Sequence, residues 1–250
     1  FHPIMMLPTS GQEGRKLSII VFVIDPVADA AVRADLVAKL QECFAAGAMA
    51  VRDWRTMLAR LKSARDALAA QPPKAADIEE DLAFLDWLAD DHFTLLGARE
   101  YRLSDDGEHG TLQPLEGSGL GILADPKARV LGTTGNRSKP GLSQEVRAYL
   151  ESNGPLIVTK SSARSTVHRR VHMDYVGIKL YDAAGRLCGE HRFVGLFTSG
   201  AYSLSPRAIP LLRHKIAAVT TRAGLDPRSH DGKALAPLLD TFPRHELFQV

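Results

Sequence analysis

Three stretches between residues 156 and 198 have the residue pattern of β-strands, because they are rich in β-branched and aromatic side chains. They span residues 156–160, 171–181 and 187–198. Asp182-Ala-Ala-Gly185 lies between the second and the third, and it has turn chemistry, since Asp bonds its own backbone and Gly accepts a positive φ. The pattern predicts that the last two strands form an antiparallel hairpin with a loop of about four residues.

The apolar positions of this hairpin do not keep to one face. Met173 and Tyr175 share one face of an ideal strand, whereas Val176 and Ile178 share the other. Two explanations remain open: a β-bulge near residues 175–177, or a strand that is buried on both faces. The partner strand is apolar on both faces at Phe193, Val194, Leu196 and Phe197. We expect this hairpin to lie deep in a sheet.

The region upstream of the hairpin completes a sheet. A capping-box-like start at Asp77-Ile-Glu-Glu80 predicts a helix. Its apolar face would be Ile78, Leu82, Leu85 and Leu88. Residues 92–103 and 111–116 then predict a second hairpin, and a loop with a short helix from Ser143 follows. The order of helix, two strands, loop and helix, and three strands predicts an α+β fold, with one antiparallel five-stranded sheet and flanking helices.

The amino-terminal part has two predicted strands and a long helix. Residues 1–8 and 17–24 read as strands, the second as a nearly continuous buried run. Asp29 is placed to cap a helix that reaches about Ala70, roughly 60 Å in length. Its apolar positions fall three and four apart: Leu36, Leu40, Cys43, Gly47, Val51, Trp54, Leu58, Leu61, Arg65 and Leu68. Gly47 is the point where we expect it to bend or break.

Prolines and glycines mark the remaining boundaries. Pro72-Pro73 ends the long helix and predicts a domain boundary. Near the carboxyl end, residues 210–224 predict a helix with Pro at its start and Gly at its stop. A further helix starts near Ser229, and we expect Pro237 to break or kink it. Residues 241–250 look like the start of a segment that connects to a further domain.

Composition places the chain among globular proteins. It has 250 residues, of which 45% are hydrophobic and 24% charged, and it has neither a membrane-span pattern nor a signal-peptide pattern. We therefore expect a cytoplasmic protein. Cys43 and Cys188 lie in apolar patterns, so buried free thiols are expected rather than a disulfide or a metal site. The chain begins with Phe1 and has no initiator Met, so we expect a fragment of a longer polypeptide.

The charge distribution is uneven although the net charge is only +2. Residues 77–91 hold seven acids and no Lys or Arg, whereas residues 156–222 hold eleven Lys or Arg and three acids, a net of 11 − 3 = +8. The simplest explanation is that the acidic helix docks on the basic edge of the sheet within the chain. A small anionic ligand is the second explanation, and we expect neither nucleic acid nor membrane as a partner.

The connection between the first two strands of the 156–198 region is the candidate ligand site. It holds the densest set of oxyanion donors in the chain: Arg164, Ser165, Thr166, His168 and Arg169. Arg binds a carboxylate or phosphate bidentately, and hydroxyls donate from the flank. A solvated basic loop explains the same residues, because loops are generally polar and exposed.

Other candidate sites have weaker patterns. Gly117-Ser-Gly-Leu-Gly121 lacks the third glycine and the helix start of a dinucleotide loop, so we expect a structural role. Asp90-Asp91 would suit a metal or an amine, but without a third ligand a solvated helix end is expected. His168 and His172 lie roughly 13 Å apart on an ideal strand and would not share an ion. We identify no catalytic residue, metal site or cofactor site in this sequence.

Several of these stretches resemble one family. T-K-S-S-A-R-S-T-V-H-R at residues 159–169, M-D-Y-V-G-I-K at 173–179 and F-V-G-L-F-T-S at 193–199 are similar to the amino-terminal region of the large bacterial NAD-specific glutamate dehydrogenases. Residues 84–97, 117–123, 205–213 and 226–233 also look like that family, and the likeness runs from about Ile19 to Val250.

The resemblance carries expectations about fold and function. In that family this region contains ACT-like and PAS-like modules that are regarded as regulatory. It implies a partial ACT-like ββα unit with a long connecting helix over residues 1–71, a PAS-like domain over 75–225 and a helical linker over 226–250. The intact protein would oxidise glutamate to 2-oxoglutarate and ammonia with NAD, using catalytic and nucleotide-binding residues outside this sequence.

Three functions therefore remain open from the sequence. The first is a regulatory and assembly region of such an enzyme, in contact with the rest of its own chain and with other subunits of a homo-oligomer. The second is a free-standing small-molecule sensor for an amino acid or a nucleotide. The third is an anion-binding enzyme that uses Arg164 and Ser165.

Overall fold

The computed structural model describes residues 4–9, 12–73, 78–104, 111–126, 128, 154–226 and 228–241. The chain divides into two compact units, Phe1–Glu42 and Cys43–Val250. The predicted cap at Asp77 and the short helix predicted from Ser143 lie outside the described residues. The boundary expected at residues 71–75 remains a prediction.

The first unit contains a two-stranded antiparallel sheet. Strand β1 spans Ile4–Thr9 and strand β2 spans Gln12–Ser18. The prediction that residues 17–24 form one buried strand was wrong, because Ile19–Ile24 is neither a strand nor buried. Strand β2 ends at Ser18, which pairs with Ile4, so the predicted strand extends further along the chain than the observed one.

Helix α1 spans Ala30–Ala70 and begins as predicted at Asp29. The Asp29 Oδ1 atom accepts a hydrogen bond from the Ala31 N–H at 2.7 Å, which caps the helix. The helix is continuous through Gly47, so the expected break does not occur. The residues of α1 that are buried form a narrower stripe than predicted: Ala50, Met57, Leu61, Ala64 and Leu68. Val51 and Trp54 were expected on the buried face but are exposed.

The second unit contains the predicted antiparallel sheet. Its strands are β3 (Phe93–Ser104), β4 (Thr111–Pro114), β5 (Leu120–Gly121), β6 (Leu156–Arg164), β7 (His172–Tyr181) and β8 (Leu187–Phe197). The order is β4-β3-β8-β7-β6, and the two-residue strand β5 pairs with β3 beside this path. All pairs are antiparallel, which confirms the five-stranded sheet; β5 is an additional strand that the sequence did not predict.

The β7–β8 hairpin confirms one of the two explanations for its apolar pattern. Its register is regular from Asp174 opposite Gly195 to Leu180 opposite Gly189, so no bulge occurs near residues 175–177. Met173–Lys179 is buried throughout, so β7 is covered on both faces. The predicted turn is present: Asp182 Oδ1 accepts from the Ala184 and Arg186 N–H groups, both at 2.9 Å.

Short helices flank the sheet. Helix α2 spans Glu79–Trp87 and is followed by an irregular turn at Leu88–His92, in which Asp91 has a φ of 55°. Helix α3 (Ser199–Ser203), a 3-10 turn (Pro206–Ala208), helix α4 (Leu212–Arg222) and helix α5 (His230–Thr241) follow β8. Of the expected break or kink at Pro237, the break does not occur, because α5 runs through it to Thr241; the kink stays a prediction.

Each sheet face has its own apolar cluster. Val176, Ile178, Phe193 and Phe197 pack with α2 and with the second half of α1 on one side. Tyr175, Val194 and Leu196 pack on the other side with Ala50 and Leu123. The central strands therefore carry large apolar residues at successive positions, which is the pattern the sequence shows.

The acidic helix docks within the chain, as predicted, and two of its ion pairs join it to other helices. Glu80 binds the Arg213 guanidinium of α4 at 2.7 Å and accepts the Leu211 N–H at 3.0 Å. Asp86 lies 3.0 Å from the guanidinium of Arg65 on α1. The hydrogen bond from Arg213 lowers the pKa of Glu80. The charge of Asp81 on the same helix also acts on Lys179 of β7, so the acidic helix interacts with the sheet as well.

Candidate ligand-binding connection and buried polar cluster

The predicted ligand residues lie together in the link between β6 and β7. We call residues 164–171 the basic connection; it is closed at its base by the pairing of Arg164 with His172. The Ser165 N–H donates to the Val171 carbonyl at 2.8 Å, and the Ser165 hydroxyl donates to the Val167 carbonyl at 2.6 Å. Ser165 is buried, so its polar groups hold the loop in shape.

The connection also contacts α1. The Cys43 thiol donates to the Thr166 carbonyl at 2.8 Å, and Val167 lies beside Gly47, where a side chain on the helix would reach it. Cys43 is therefore half-buried rather than fully buried, and it is a free thiol, as Cys188 is. These contacts fix the position of the connection on the helix.

Arg169 is bound to the end of β8. Its Nη2 atom donates to the Phe197 carbonyl at 2.8 Å, and its guanidinium lies 5.7 Å from the centre of the Tyr202 ring. The Phe197 N–H donates to the carboxylate of Asp174, which also forms a 2.5 Å ion pair with Lys160. Side chains from the connection and from β7 thus form hydrogen bonds with the carbonyl and the N–H of Phe197, where β8 ends, and Lys160 of β6 pairs with the carboxylate that accepts the N–H.

Arg164, Thr166 and His168 present exposed side chains. Among the described residues, Arg164 has neither a hydrogen bond nor an ion pair through its guanidinium. His168 has a positive φ of 70°, an uncommon conformation for a residue with a side chain. The structure therefore brings all five predicted residues into one connection, where Ser165 and Arg169 support the fold and the other three face outward.

A buried polar cluster on the sheet was missed by the sequence reasoning. It consists of Tyr101, Tyr175, Lys179, Glu190 and Arg192, which lie on one sheet face by register. The Tyr175 hydroxyl donates to Glu190 Oε1, Arg192 Nε donates to Glu190 Oε2 at 2.9 Å, and the Arg192 guanidinium lies 3.8 Å from the Tyr101 ring centre. Every oxygen of the Glu190 carboxylate therefore has a donor.

Gly177 makes room for this cluster. A side chain there would collide with Glu190 Oε1 and press on the Tyr175 ring. The sequence signal that could have revealed the cluster is the pair Glu190 and Arg192, two apart on a strand that is otherwise apolar. Charged residues at such positions need partners when they are buried.

Burial changes the titration of several groups on the sheet. It lowers the pKa of Lys179 to about 8, although Glu190 opposite and Asp81 oppose the shift. Burial raises the pKa of Tyr175 well above its usual value and that of Tyr181 to about 12. The cluster is thus a set of mutually satisfied charges that ties β3, β7 and β8 together.

The glycine-rich segment has the structural role expected from its sequence. The Gly121 N–H donates to Asp53 Oδ2 at 2.8 Å, and the Arg60 guanidinium of α1 donates to the Ser118 carbonyl. A side chain at Gly121 would collide with the Leu96 carbonyl. The Arg52 hydrogen bond, followed by the Gly121 N–H, lowers the pKa of Asp53 to about 2. Close backbone contact therefore explains these glycines.

Among the residues that the structure describes, His, Cys, Asp and Glu side chains form no group of three that would hold a metal ion, and Asp90 and Asp91 are both exposed. Within the same residues, no helix has the length and apolarity to cross a membrane.

Related proteins identify the family. The family model described as glutamate dehydrogenase, helical motif 1, matches residues 209–250. The NAD-specific glutamate dehydrogenase of Halomonas elongata is 35% identical over 247 residues, 97% of this chain and 15% of that protein. The NAD-specific glutamate dehydrogenase of Pseudomonas aeruginosa is 33% identical over 244 residues, again 97% of this chain and 15% of that protein. The enzyme of Mycobacterium tuberculosis is 30% identical over 179 residues, which are 71% of this chain and 9% of that protein.

The likeness extends over almost the whole chain, whereas the chain spans only 15% of the length of the first two relatives. The resemblance drawn from residues 159–169, 173–179 and 193–199 is therefore confirmed. The chain belongs to the NAD-specific glutamate dehydrogenase family, and it corresponds to a small part of the proteins that it matches.

Proposed function

We propose that this chain is a non-catalytic regulatory and assembly region of an NAD-dependent glutamate dehydrogenase. The observation that carries the proposal is the contrast in coverage: 97% of the chain aligns with relatives of which it makes up 15%. The intact protein would convert L-glutamate to 2-oxoglutarate and ammonia with NAD as oxidant. The residues that bind NAD and perform this chemistry would lie in the remainder of the protein.

The proposed modules are a PAS-like domain and part of an ACT-like unit. The five antiparallel strands in the order β4-β3-β8-β7-β6, with helices beside them, support the PAS-like assignment. The β1–β2 hairpin followed by α1 supports the ββα half of an ACT-like unit. Both are assignments by analogy, and a fold of this kind is compatible with several functions.

The proposed partners are the rest of the same chain and other subunits of a homo-oligomer in the cytoplasm. Exposed apolar residues on α1, such as Phe44 and Val51, support contacts with further protein. A free-standing sensor is the alternative function. The length of the native reading frame separates the two, because a stop codon shortly after residue 250 would contradict the proposal.

Regulation would act through a small carboxylate ligand at the basic connection. Arg164, Thr166 and His168 face outward there, with Ser165 and Arg169 holding the loop in shape. A charge-assisted bond from Arg to a carboxylate contributes about 1.5 to 3 kcal/mol. An amino acid carries such a carboxylate, so amino acids are the first ligands to test, and nucleotides the second.

Calorimetry on the 250-residue chain tests whether a carboxylate ligand binds at the basic connection. Heat is expected when L-glutamate or another amino acid is added to the wild type, and it should be lost in Arg164→Ala. Arg207→Ala is the matched control, because Arg207 is also an exposed arginine but lies outside the connection. The absence of heat in all three proteins, for amino acids and nucleotides alike, would remove the ligand from the proposal.

Kinetics of the intact enzyme test the regulatory role. A ligand that binds the connection should change the rate of NADH formation, and this response should disappear in Arg164→Ala but persist in Arg207→Ala. A response that persists unchanged in Arg164→Ala would contradict regulation through this loop.

A further inference from the structure

Four ionisable side chains from three elements interact at the β3–β8 pair. Glu100 of β3 lies directly opposite His191 of β8 in the register. The His191 Nδ1 atom is 3.8 Å from Glu100 Oε2, and the Arg102 Nη2 atom is 2.5 Å from Glu100 Oε1. The fourth group is Arg60 of α1, which interacts electrostatically with Glu100 and with His191. Three basic groups thus share one carboxylate.

The Nδ1 atom of His191 is buried, and among the residues that the structure describes it has no hydrogen-bond partner. The side chains of His191 and Glu100 are only 14% and 15% exposed. Strand β7 places the apolar Ile178 opposite His191, and the centre of the Phe193 ring lies 6.5 Å from that of the imidazole. Burial beside apolar groups disfavours a charged imidazole. The environment therefore favours the neutral ring.

Burial also has the largest effect on the titration of His191. It lowers the pKa of His191 below the usual 6.5, and the positive charges of Arg60 and Arg102 act in the same direction. The carboxylate of Glu100 acts in the opposite direction and offsets only part of the shift. The charged groups that act on His191 thus come from β3 and α1, whereas the facing position of β7 is apolar. His191 is neutral at pH 7 and gains its proton below pH 6.5.

Arg60 connects this set of charges to the position of α1. Its guanidinium donates to the Ser118 carbonyl, which ties the second half of α1 to the glycine-rich segment beside β3. Arg60 is half-buried, and the charge of Glu100 helps to stabilise its cation there. While His191 is neutral, Glu100 balances two arginines. Once His191 is protonated, the same carboxylate has to balance three cations, and His191 repels Arg60.

We propose that His191 is an acid-sensitive switch that loosens the contact between α1 and the sheet when its imidazole gains a proton. The proton makes both ring nitrogens donors, so Nδ1 then competes with the arginines for Glu100. The hydrogen bond from Arg60 to the Ser118 carbonyl weakens as a result. This inference goes beyond the proposed function, because the switch requires no ligand and its residues lie outside the basic connection.

NMR titration of the 250-residue chain with isotopically labelled histidine tests the charge balance. The signal of His191 is identified by its loss in His191→Gln, and its midpoint in the wild type should lie below pH 6.5. Glu100→Gln should lower the midpoint further, whereas Arg60→Gln should raise it. Arg207→Gln is the matched control, because Arg207 is an exposed arginine outside this set, and it should leave the midpoint unchanged.

Shifts in opposite directions distinguish a charge effect from a general loss of packing. Arg102→Gln should also raise the midpoint, and its side chain is 55% exposed, so it replaces Arg60→Gln if that variant does not fold. A wild-type midpoint at or above pH 6.5 would overturn the proposal. So would a midpoint that neither the glutamate nor the arginine substitution moves.

Hydrogen exchange of the same chain tests whether the proton loosens the contact. After correction for the intrinsic pH dependence of exchange, residues 118–121 should exchange faster below the His191 midpoint than above it. This acceleration should be absent in His191→Gln. Equal exchange on both sides of the midpoint, or equal acceleration in His191→Gln, would overturn the switch. Neither measurement involves glutamate, NAD or a ligand, so failure of the switch and failure of the proposed function give different results.

Discussion

The β7–β8 hairpin and the Ile19–Ile24 segment are both long apolar runs, yet the hairpin is buried and the segment is exposed. Met173–Lys179 is buried throughout, whereas every residue of Ile19–Ile24 is exposed, Val23 to 94%. The hairpin lies between β3 and β6 and has an apolar cluster on each face. The segment follows Ser18, the last residue of β2, and among the described residues it belongs to no strand. An apolar run thus indicates a segment that gains from burial. Whether it is buried depends on the elements that pack beside it.

The largest expected effect is the loss of a buried aromatic ring. Phe197→Ala should lower the free energy of unfolding by about 3 to 5 kcal/mol, since the ring packs among Phe93, α2 and α3. Phe22→Ala is the matched control in the exposed segment and should change it by less than about 0.5 kcal/mol. Urea unfolding measures both; equal effects would remove the contrast between the two regions.

The second effect concerns the buried polar cluster. Glu190→Ala should destabilise the fold by about 3 kcal/mol, because it leaves the Arg192 guanidinium and the Tyr175 hydroxyl without their acceptor. The control is Asp35→Ala, which removes an exposed ion pair with Lys39 and should cost less than about 1 kcal/mol. An unfolding midpoint of Glu190→Ala close to that of Asp35→Ala would contradict the assigned role of the cluster.

A third effect is the pH dependence that Lys179 introduces. Burial lowers its pKa from 10.5 to about 8, so between these values the unfolded chain binds more protons than the folded chain. Stability relative to Lys179→Met should therefore rise by about 2 kcal/mol from pH 8 to pH 10. Urea titrations of both proteins across this range measure the difference. A constant difference would show that the lysine is solvated.

The smallest effect is expected at the hairpin turn. Gly185 has φ 76°, so Gly185→Ala should cost about 1 kcal/mol. Gly154→Ala is a suitable control, since no described residue lies within 4 Å of its added methyl group and its φ is not in the positive region. Unfolding midpoints that are equal for the two variants would show that the turn does not restrict the backbone.

Local signals were sufficient to predict much of the fold. The Asp182–Gly185 turn, the Asp29 cap and the two strands of the β3–β4 pair have signals that act over a few residues, and the structure contains each of them. The two explanations for β7 needed tertiary information, because burial of both faces depends on α1 and α2 as well as on the neighbouring strands. The exposure of Ile19–Ile24 could not be predicted either, because an apolar run has the same pattern whether or not other elements cover it.

The position of the five candidate residues in one loop was predictable, whereas their contacts were not. The residue types of the basic connection suggested oxyanion binding, and the structure places all five residues in one loop. That Ser165 would close its own loop and Arg169 would bind the Phe197 carbonyl depends on the geometry where β8 ends. The Glu190–Arg192 pair was overlooked because its partners Tyr101 and Tyr175 come from other strands.

NADH formation by the isolated 250-residue chain, beside the intact enzyme, tests the central claim most directly. With L-glutamate and NAD, the intact enzyme should form NADH at a readily measured rate. The isolated chain should give none above background, because the catalytic and nucleotide-binding residues are proposed to lie outside it. Turnover that follows the chain through successive purification steps would contradict a non-catalytic regulatory region.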